Sequence, residues 1–153
     1  MSQETIRQAW REKVWNHAQI AAITQIVIER DLGEDTHKEI SSIRYKQEIN
    51  FFGFRVRRRI ETLIGRKRRF WYLVDVSYTR WADPRGINYN TTLDAIELVA
   101  DLVQSQLGSS WNGTVEDYQP QAGVPNILVT SIGDEKVYRA EYSFEGIIGA
   151  VSN

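Results

Sequence analysis

The chain has 153 residues, of which 42% are hydrophobic and 25% are charged, and its formal net charge at pH 7 is −1. This composition predicts one globular domain spanning 1–153, with enough apolar residues for a real core. The absence of cysteine excludes disulfides, thiolate zinc sites and cysteine nucleophiles. No run of residues approaches the roughly 18 apolar positions of a membrane helix, so we expect no membrane partner.

The first segment has helical periodicity. Ile6, Trp10 and Val14 recur every four residues and therefore share one face, which predicts a helix from about Gln3 to His17. The β-branched residues at 20–23 and 26–28 predict a strand that ends near Glu29, or a helix extension followed by a strand. Residues 31–38 are polar and predict a loop.

The central part of the chain alternates apolar and polar residues and predicts a long β-hairpin. One extended stretch runs from Ile40 to Glu61, with a bulge near Asn50 and Gly53. Gly65 is the expected turn. The return strand, from Phe70 to Thr79, has the clearest alternation in the chain.

The second half predicts a turn, a helix and more strands. Asp83-Pro84-Arg85-Gly86 has turn chemistry, and Thr91 with Asp94 fits a capping box for a helix that Gly108 closes. A strand at 111–118 and a hairpin of 127–132 with 137–144 follow. The expected fold class is α+β, with an antiparallel-rich sheet, the long basic β-hairpin and two main helices packed on one face.

Positive charge is concentrated on the predicted hairpin. Between Arg55 and Arg69 the sequence has eight Lys/Arg and one acid, Glu61. Three interpretations stay open: charges that protect a strand edge, a surface that docks on protein, or a nucleic-acid-binding module that uses the basic hairpin 55–69. The candidate residues of this surface are Arg55, Arg57, Arg59, Arg66, Lys67, Arg68 and Arg69.

The second predicted helix carries the opposite charge. Asp94, Glu97 and Asp101 follow i, i+3, i+7 spacing and form one acidic stripe, with Leu98 beside it as an exposed apolar residue. The stripe is either an ordinary solvated face or a subunit interface. If the hairpin of one subunit docks on this stripe of the next, the contact is head to tail and closes into a ring.

The sequence offers little for catalysis. His37 lies in an acidic loop that is either solvated or able to hold a hard metal. Asp75 with Glu135 and Lys136 loosely matches the acid-plus-lysine pattern of metal-dependent nucleases. Neither signal is specific, so we expect no catalytic residue, no metal site and no cofactor.

The order of these elements resembles a known family. An N-terminal helix is followed by a long basic hairpin, whose return strand over Phe70–Tyr78 alternates aromatic residues. A turn, an amphipathic helix over Leu93–Leu107 and a closing hairpin that ends Tyr142-Ser143-Phe144-Glu145-Gly146 come next. This order is similar to that of the tail-terminator and tail-completion (neck) proteins of tailed bacteriophages.

The resemblance implies a structural role without catalysis. Such proteins are not enzymes; they form homo-oligomers, as hexameric rings, that cap the tail tube and join it to the head connector. DNA passes through the lumen. The implied localisation is the virion, with assembly in the host cytoplasm, and the implied partners are tail-tube and head-connector proteins.

Overall fold

The structure is a computed structural model that describes residues 3–29, 49–63, 67–105, 117–120, 126–132 and 134–152. Helices and strands are mixed along the chain. In order they are α1 (Gln3–Trp10), a π-helical turn (Arg11–Trp15), α2 (Ala18–Ile23), β1 (Val27–Ile28), β2 (Asn50–Leu63), β3 (Lys67–Trp81), α3 (Ile87–Ser105), β4 (Asp117–Pro120), β5 (Asn126–Ile132) and β6 (Glu135–Ser152).

The described strands form one mixed sheet. Its order is β1-β2-β3-β6-β4, and β5 also pairs with β6. β4 pairs with residues 144–147 of β6, and β5 pairs with residues 135–141 of the same strand. Among the strands that the structure describes, only the short β1–β2 pair is parallel; β2–β3, β3–β6, β4–β6 and β5–β6 are antiparallel. The α+β prediction with an antiparallel-rich sheet is therefore confirmed.

The helices cover one face of this sheet. Val56, Val74 and Phe144 are neighbours across three strands and lie on one face of the sheet. They belong to the same buried cluster as the core residues of the helices, so this face points toward the helices. Trp10 is fully buried, with its ring centroid 5.3 Å from Phe54 and 5.6 Å from Phe144. From the helices, the buried core residues are Ile6, Ala9, Trp10, Val14, Trp15, Ile20, Ala95, Ile96, Val99, Leu102 and Val103.

A smaller apolar cluster lies on the opposite face, near the start of β2. Its buried residues are Ile28, Ile49, Phe51 and Val137, with Trp81 packed against them. Farther along the same face the residues become polar, and Arg55, Asp75 and Ser143 are aligned across three strands. The face under the helices is therefore apolar, whereas the other face is apolar near the start of β2 and charged or hydroxylated at Arg55, Asp75 and Ser143.

Both strands of the predicted hairpin are present as β2 and β3, and β6 adds a third strand beside β3. β2 pairs with β3 from Asn50–Arg80 to Leu63–Lys67, and β6 follows the other edge of β3 as far as Ser152. Beyond Val56, its last residue in the described core, β2 continues for seven residues, about 23 Å at 3.3 Å per residue.

Several details differ from the sequence predictions. No bulge interrupts β2 near Asn50 and Gly53, where the β2–β3 register is continuous; the irregularity lies between Arg69 and Trp71 on the β6 side. Residues 20–23 lie in a helix, the alternative that the sequence left open. The predicted segments 31–38, 40–48 and 111–116, the turn at Gly65, and the closing Gly108 lie outside the described residues.

The start of α3 is also corrected. The helix begins at Ile87, four residues before the predicted cap Thr91. The Asp83 carboxylate accepts hydrogen bonds from the backbone N–H groups of Ile87 (3.0 Å) and Asn88 (2.8 Å), so the turn supplies the cap. Gly86 has a φ of 71°, the left-handed conformation that glycine tolerates best.

None of the described helices is both long enough and apolar enough to cross a membrane.

Candidate subunit interface

Two of the predicted basic residues converge on one carboxylate. The Arg57 guanidinium donates to both oxygens of Asp75, from Nε at 2.7 Å and Nη2 at 3.0 Å. Arg55 donates to Asp75 Oδ2 from Nε (3.2 Å) and Nη2 (3.0 Å). The Ser143 hydroxyl completes the group, with its Oγ 2.7 Å from Asp75 Oδ1.

Asp75 is held ionised in this setting. Its burial, with a side chain 23% exposed, is the largest single influence and would raise its pKa. Hydrogen bonds from Arg57, Ser143 and Arg55, together with the Arg57 charge, outweigh burial and lower the pKa below its ordinary value. The cluster is therefore an ion network at neutral pH.

This network changes the interpretation of the hairpin. From the sequence, the density of positive charge left open edge protection, docking on protein and nucleic-acid binding, and the acidic stripe of α3 was the counter-charge considered for docking. Asp75 is another counter-charge: it is the direct cross-strand partner of Arg55 and also binds Arg57. The base of the hairpin is thus partly neutralised within the chain.

The rest of the basic surface lies farther out. Arg59 is the register partner of Trp71, Arg69 of Glu61, Arg68 of Thr62 and Lys67 of Leu63. Arg66 lies outside the described residues. The backbone register therefore places Lys67, Arg68 and Arg69 at the end of the β2–β3 ladder that is distant from the described core.

The acidic stripe is present on α3. Asp94, Glu97 and Asp101 are all exposed, as predicted. In the described part of the chain none of them makes an ion pair, and α3 contains no Lys or Arg. Three like charges at helical spacing repel one another, so this surface is one that a cationic partner would stabilise.

The stripe borders an open groove of about 430 Å³ between α2 and α3. Ala95 is buried and Ile23 and Leu98 are half-buried, so these side chains form an apolar floor. The prediction that Leu98 is exposed is wrong: it packs against the core cluster. The groove is lined by Ile23, Thr91, Asp94, Ala95, Glu97, Leu98 and Asp101.

The two charged surfaces lie on opposite sides of the sheet. Arg55 and Arg57 alternate with the buried Phe54 and Val56, and so point away from the helices. α3 packs on the other face, and its acidic stripe lies on its exposed side. The arginine pair and the acidic stripe are therefore separated by the thickness of the sheet and a helix layer.

Sequence reasoning missed three groups of this site. Asp75 was seen only as a loose nuclease signal, and Ser143 and Ile23 were not assigned to it. The strand alternation places Asp75 and Arg55 on compatible faces, but only the register makes them neighbours. Ile23 comes from a helix far away in sequence, and no local pattern connects it with Asp94.

The possible nuclease group is not assembled. Asp75 pairs with Ser143 on β6. Glu135 lies eight residues before Ser143 in that strand, which is about 26 Å along the strand at 3.3 Å per residue. Among the residues that the structure describes, no three His, Asp or Glu side chains are placed to hold a metal ion. His17 accepts a hydrogen bond from the Gln19 backbone N–H at the start of α2.

Comparison of the chain with protein-family models finds no match, and comparison with curated protein sequences finds none either.

Proposed function

We propose that the protein is a structural virion subunit of a tailed phage, one that forms a homo-oligomeric ring at the neck or tail end. The ring caps the tail tube and joins it to the head connector, while DNA passes through its lumen. The element order is the basis for the phage assignment, because it resembles that of tail-terminator and neck proteins.

The observation that carries the ring is the presence of an exposed acidic stripe and a basic run on different elements of one subunit, α3 and the β2–β3 ladder. The acidic stripe of α3 has no cation on its own helix, and the basic run lies on the β2–β3 ladder, where Arg55 and Arg57 point away from the helices. A contact between two different surfaces is heterologous, so each added subunit exposes the same unused pair. When the rotation that relates each subunit to the next closes after a whole number of subunits, repetition of this contact produces a ring.

Shape supports the same contact. The β2–β3 ladder continues to the Leu63–Lys67 pair, seven residues or about 23 Å past Val56, so the basic run lies on paired strands over this length. Because β6 also pairs with β3 there, the extension is a sheet segment rather than an isolated two-stranded ribbon.

Light scattering coupled to size-exclusion chromatography tests the proposal. The purified chain should elute as an oligomer of about six subunits in low salt, as the resemblance implies. The mass should fall in about 1 M salt, where the screening length shrinks to about 3 Å. A monomer at about 1 mM chain in low salt would reject the ring.

The alternative role as a nucleic-acid-binding module has a separate signature. A monomer that binds a DNA duplex, with affinity falling steeply as salt rises, would favour that role over the ring. The same sample therefore distinguishes the two functions, since one requires self-association and the other does not.

A further inference from the structure

The groove between α2 and α3 combines an acidic rim with an apolar floor. Asp94, Glu97 and Asp101 are exposed at its edge, while Ile23 and Leu98 are half-buried beneath them. A fitting ligand therefore has cationic ends on apolar stems. Arginine and lysine side chains have this character, because their methylene stems pack on apolar surface while their charged heads bind carboxylates.

We propose that this groove is the receptor for the hairpin tip of a second copy, the segment 66–69 with its four successive cations Arg66, Lys67, Arg68 and Arg69. The inference rests on the proposed ring and specifies its contact. Charge complementarity selects this occupant. Three carboxylates at the groove have no ion-pair partner in the described residues, and the same polypeptide carries a run of four cations that matches them in charge.

The intrachain network separates the tip from the base of the hairpin. Arg55 and Arg57 are engaged with Asp75, so their role is to hold the strands together. The proposed intersubunit role passes to the tip cations, of which Lys67, Arg68 and Arg69 lie at the far end of the ladder.

The floor adds shape specificity to the charge. Thr91 and Ala95 are small, so they leave room between α2 and α3 for an inserted side chain. Ile23 lines the groove but is outside the acidic stripe. A larger or charged side chain at this position would fill the groove or change the charge of its floor. An Ile23→Lys substitution should therefore weaken assembly as charge reversal does, whereas an Ile23→Val substitution should not.

A reciprocal charge exchange tests the contact. One variant carries Asp94→Lys, Glu97→Lys and Asp101→Lys; the other carries Arg66→Glu, Arg68→Glu and Arg69→Glu. Alone, each places like charges at every contact, and self-association should weaken at least about 100-fold. Mixed in equal amounts, the two variants restore opposite charges at every contact of a ring in which they alternate, so an oligomer with an even number of subunits should form again.

The matched control is Asp134→Lys, a reversal of an exposed acid in the β5–β6 turn, which should leave the oligomer unchanged. Circular dichroism establishes that each variant is folded; the three acids are exposed, so their substitution removes no core contact. If the triple tip variant does not fold, the single pair Glu97→Lys and Arg68→Glu is used in the same mixing experiment.

The outcomes separate this contact from the ring itself. Assembly on mixing, with both variants dissociated alone, supports the proposal. An oligomer that persists in both variants overturns the groove contact and leaves the ring intact. Variants that dissociate alone but do not recover on mixing overturn direct pairing. A wild-type chain that is monomeric at about 1 mM overturns both the contact and the proposed function.

Discussion

Replacement of Asp75 by asparagine isolates the ion network at the base of the hairpin. Asparagine keeps the size of the side chain and one oxygen acceptor for Ser143, but it removes the charge that binds Arg55 and Arg57. We therefore expect the fold to persist with reduced stability, and the two guanidinium groups to lose their shared partner.

The magnitude follows from the exposure of the partners. The side chains of Arg55 and Arg57 are 38% and 48% exposed, so each ion pair is discounted to about 0.5 kcal/mol for solvent screening. Exchange of the charge-assisted Ser143 bond for a neutral one adds about 1 kcal/mol. The sum of about 2 kcal/mol corresponds to a Tm lower by about 4–8 °C in a chain of this size.

The pH dependence gives the sharper test. The pKa of Asp75 is lower in the folded chain than in the unfolded one, where it is about 3.9. Its contribution is therefore complete well above pH 4 and is lost as the pH falls through the lower, folded-state pKa. The stability difference between wild type and Asp75→Asn should be largest near pH 7 and should shrink toward pH 2.

Thermal unfolding by circular dichroism from pH 2.5 to pH 7 measures this difference, with Asp134→Asn as the control for loss of an exposed acid. A variant as stable as wild type at pH 7 would refute the assigned network. A deficit that stays constant over the whole pH range would show that the effect comes from shape rather than charge.

Further substitutions address the turn, the core and the β5 edge. Gly86→Ala forces a left-handed φ on a residue with a Cβ and should cost about 1–2 kcal/mol in urea unfolding, with Gly86→Asn costing less; the Cβ itself meets only the Tyr138 hydroxyl at 3.9 Å. Equal stability of the three chains would contradict this reason. Trp10→Ala should cost about 3–5 kcal/mol, because the ring is fully buried among aromatic side chains; a loss below about 1 kcal/mol would place Trp10 outside the core. Val129→Lys should reduce light scattering on heating without lowering stability, since Val129 is 66% exposed on an uncharged strand. Unchanged aggregation would mean that β5 is not the aggregating edge.

Periodicity predicted the elements whose neighbours lie close in sequence. The core face of α3 and the alternation of β3 both come from spacing along one segment, and the buried Ile96, Val99 and Val103 match it. The start of α3 was wrong because Asp83 caps it from four and five residues away, across a turn that Gly86 makes possible. A plausible capping box at Thr91 misled the sequence reasoning.

Features that depend on pairing between distant segments could not be predicted from one strand at a time. β6 continues to Ser152 although the sequence predicted its end at Phe144, because β3 offers a partner edge over that length. The same dependence hid the role of Asp75. Its face is set by alternation, but its contacts with Arg55, Arg57 and Ser143 are set by the register of three strands.

The strand pairing on both edges of β3 also determines how the hairpin enters a complex. A two-stranded ribbon would have to lose much of its conformational freedom at the moment of association, and that loss would weaken binding. Here the backbone order is established during folding, through hydrogen bonds to β2 on one side and β6 on the other. Amide hydrogens of β3 should therefore exchange slowly even in the isolated subunit, and assembly should proceed by rigid docking rather than by folding on contact.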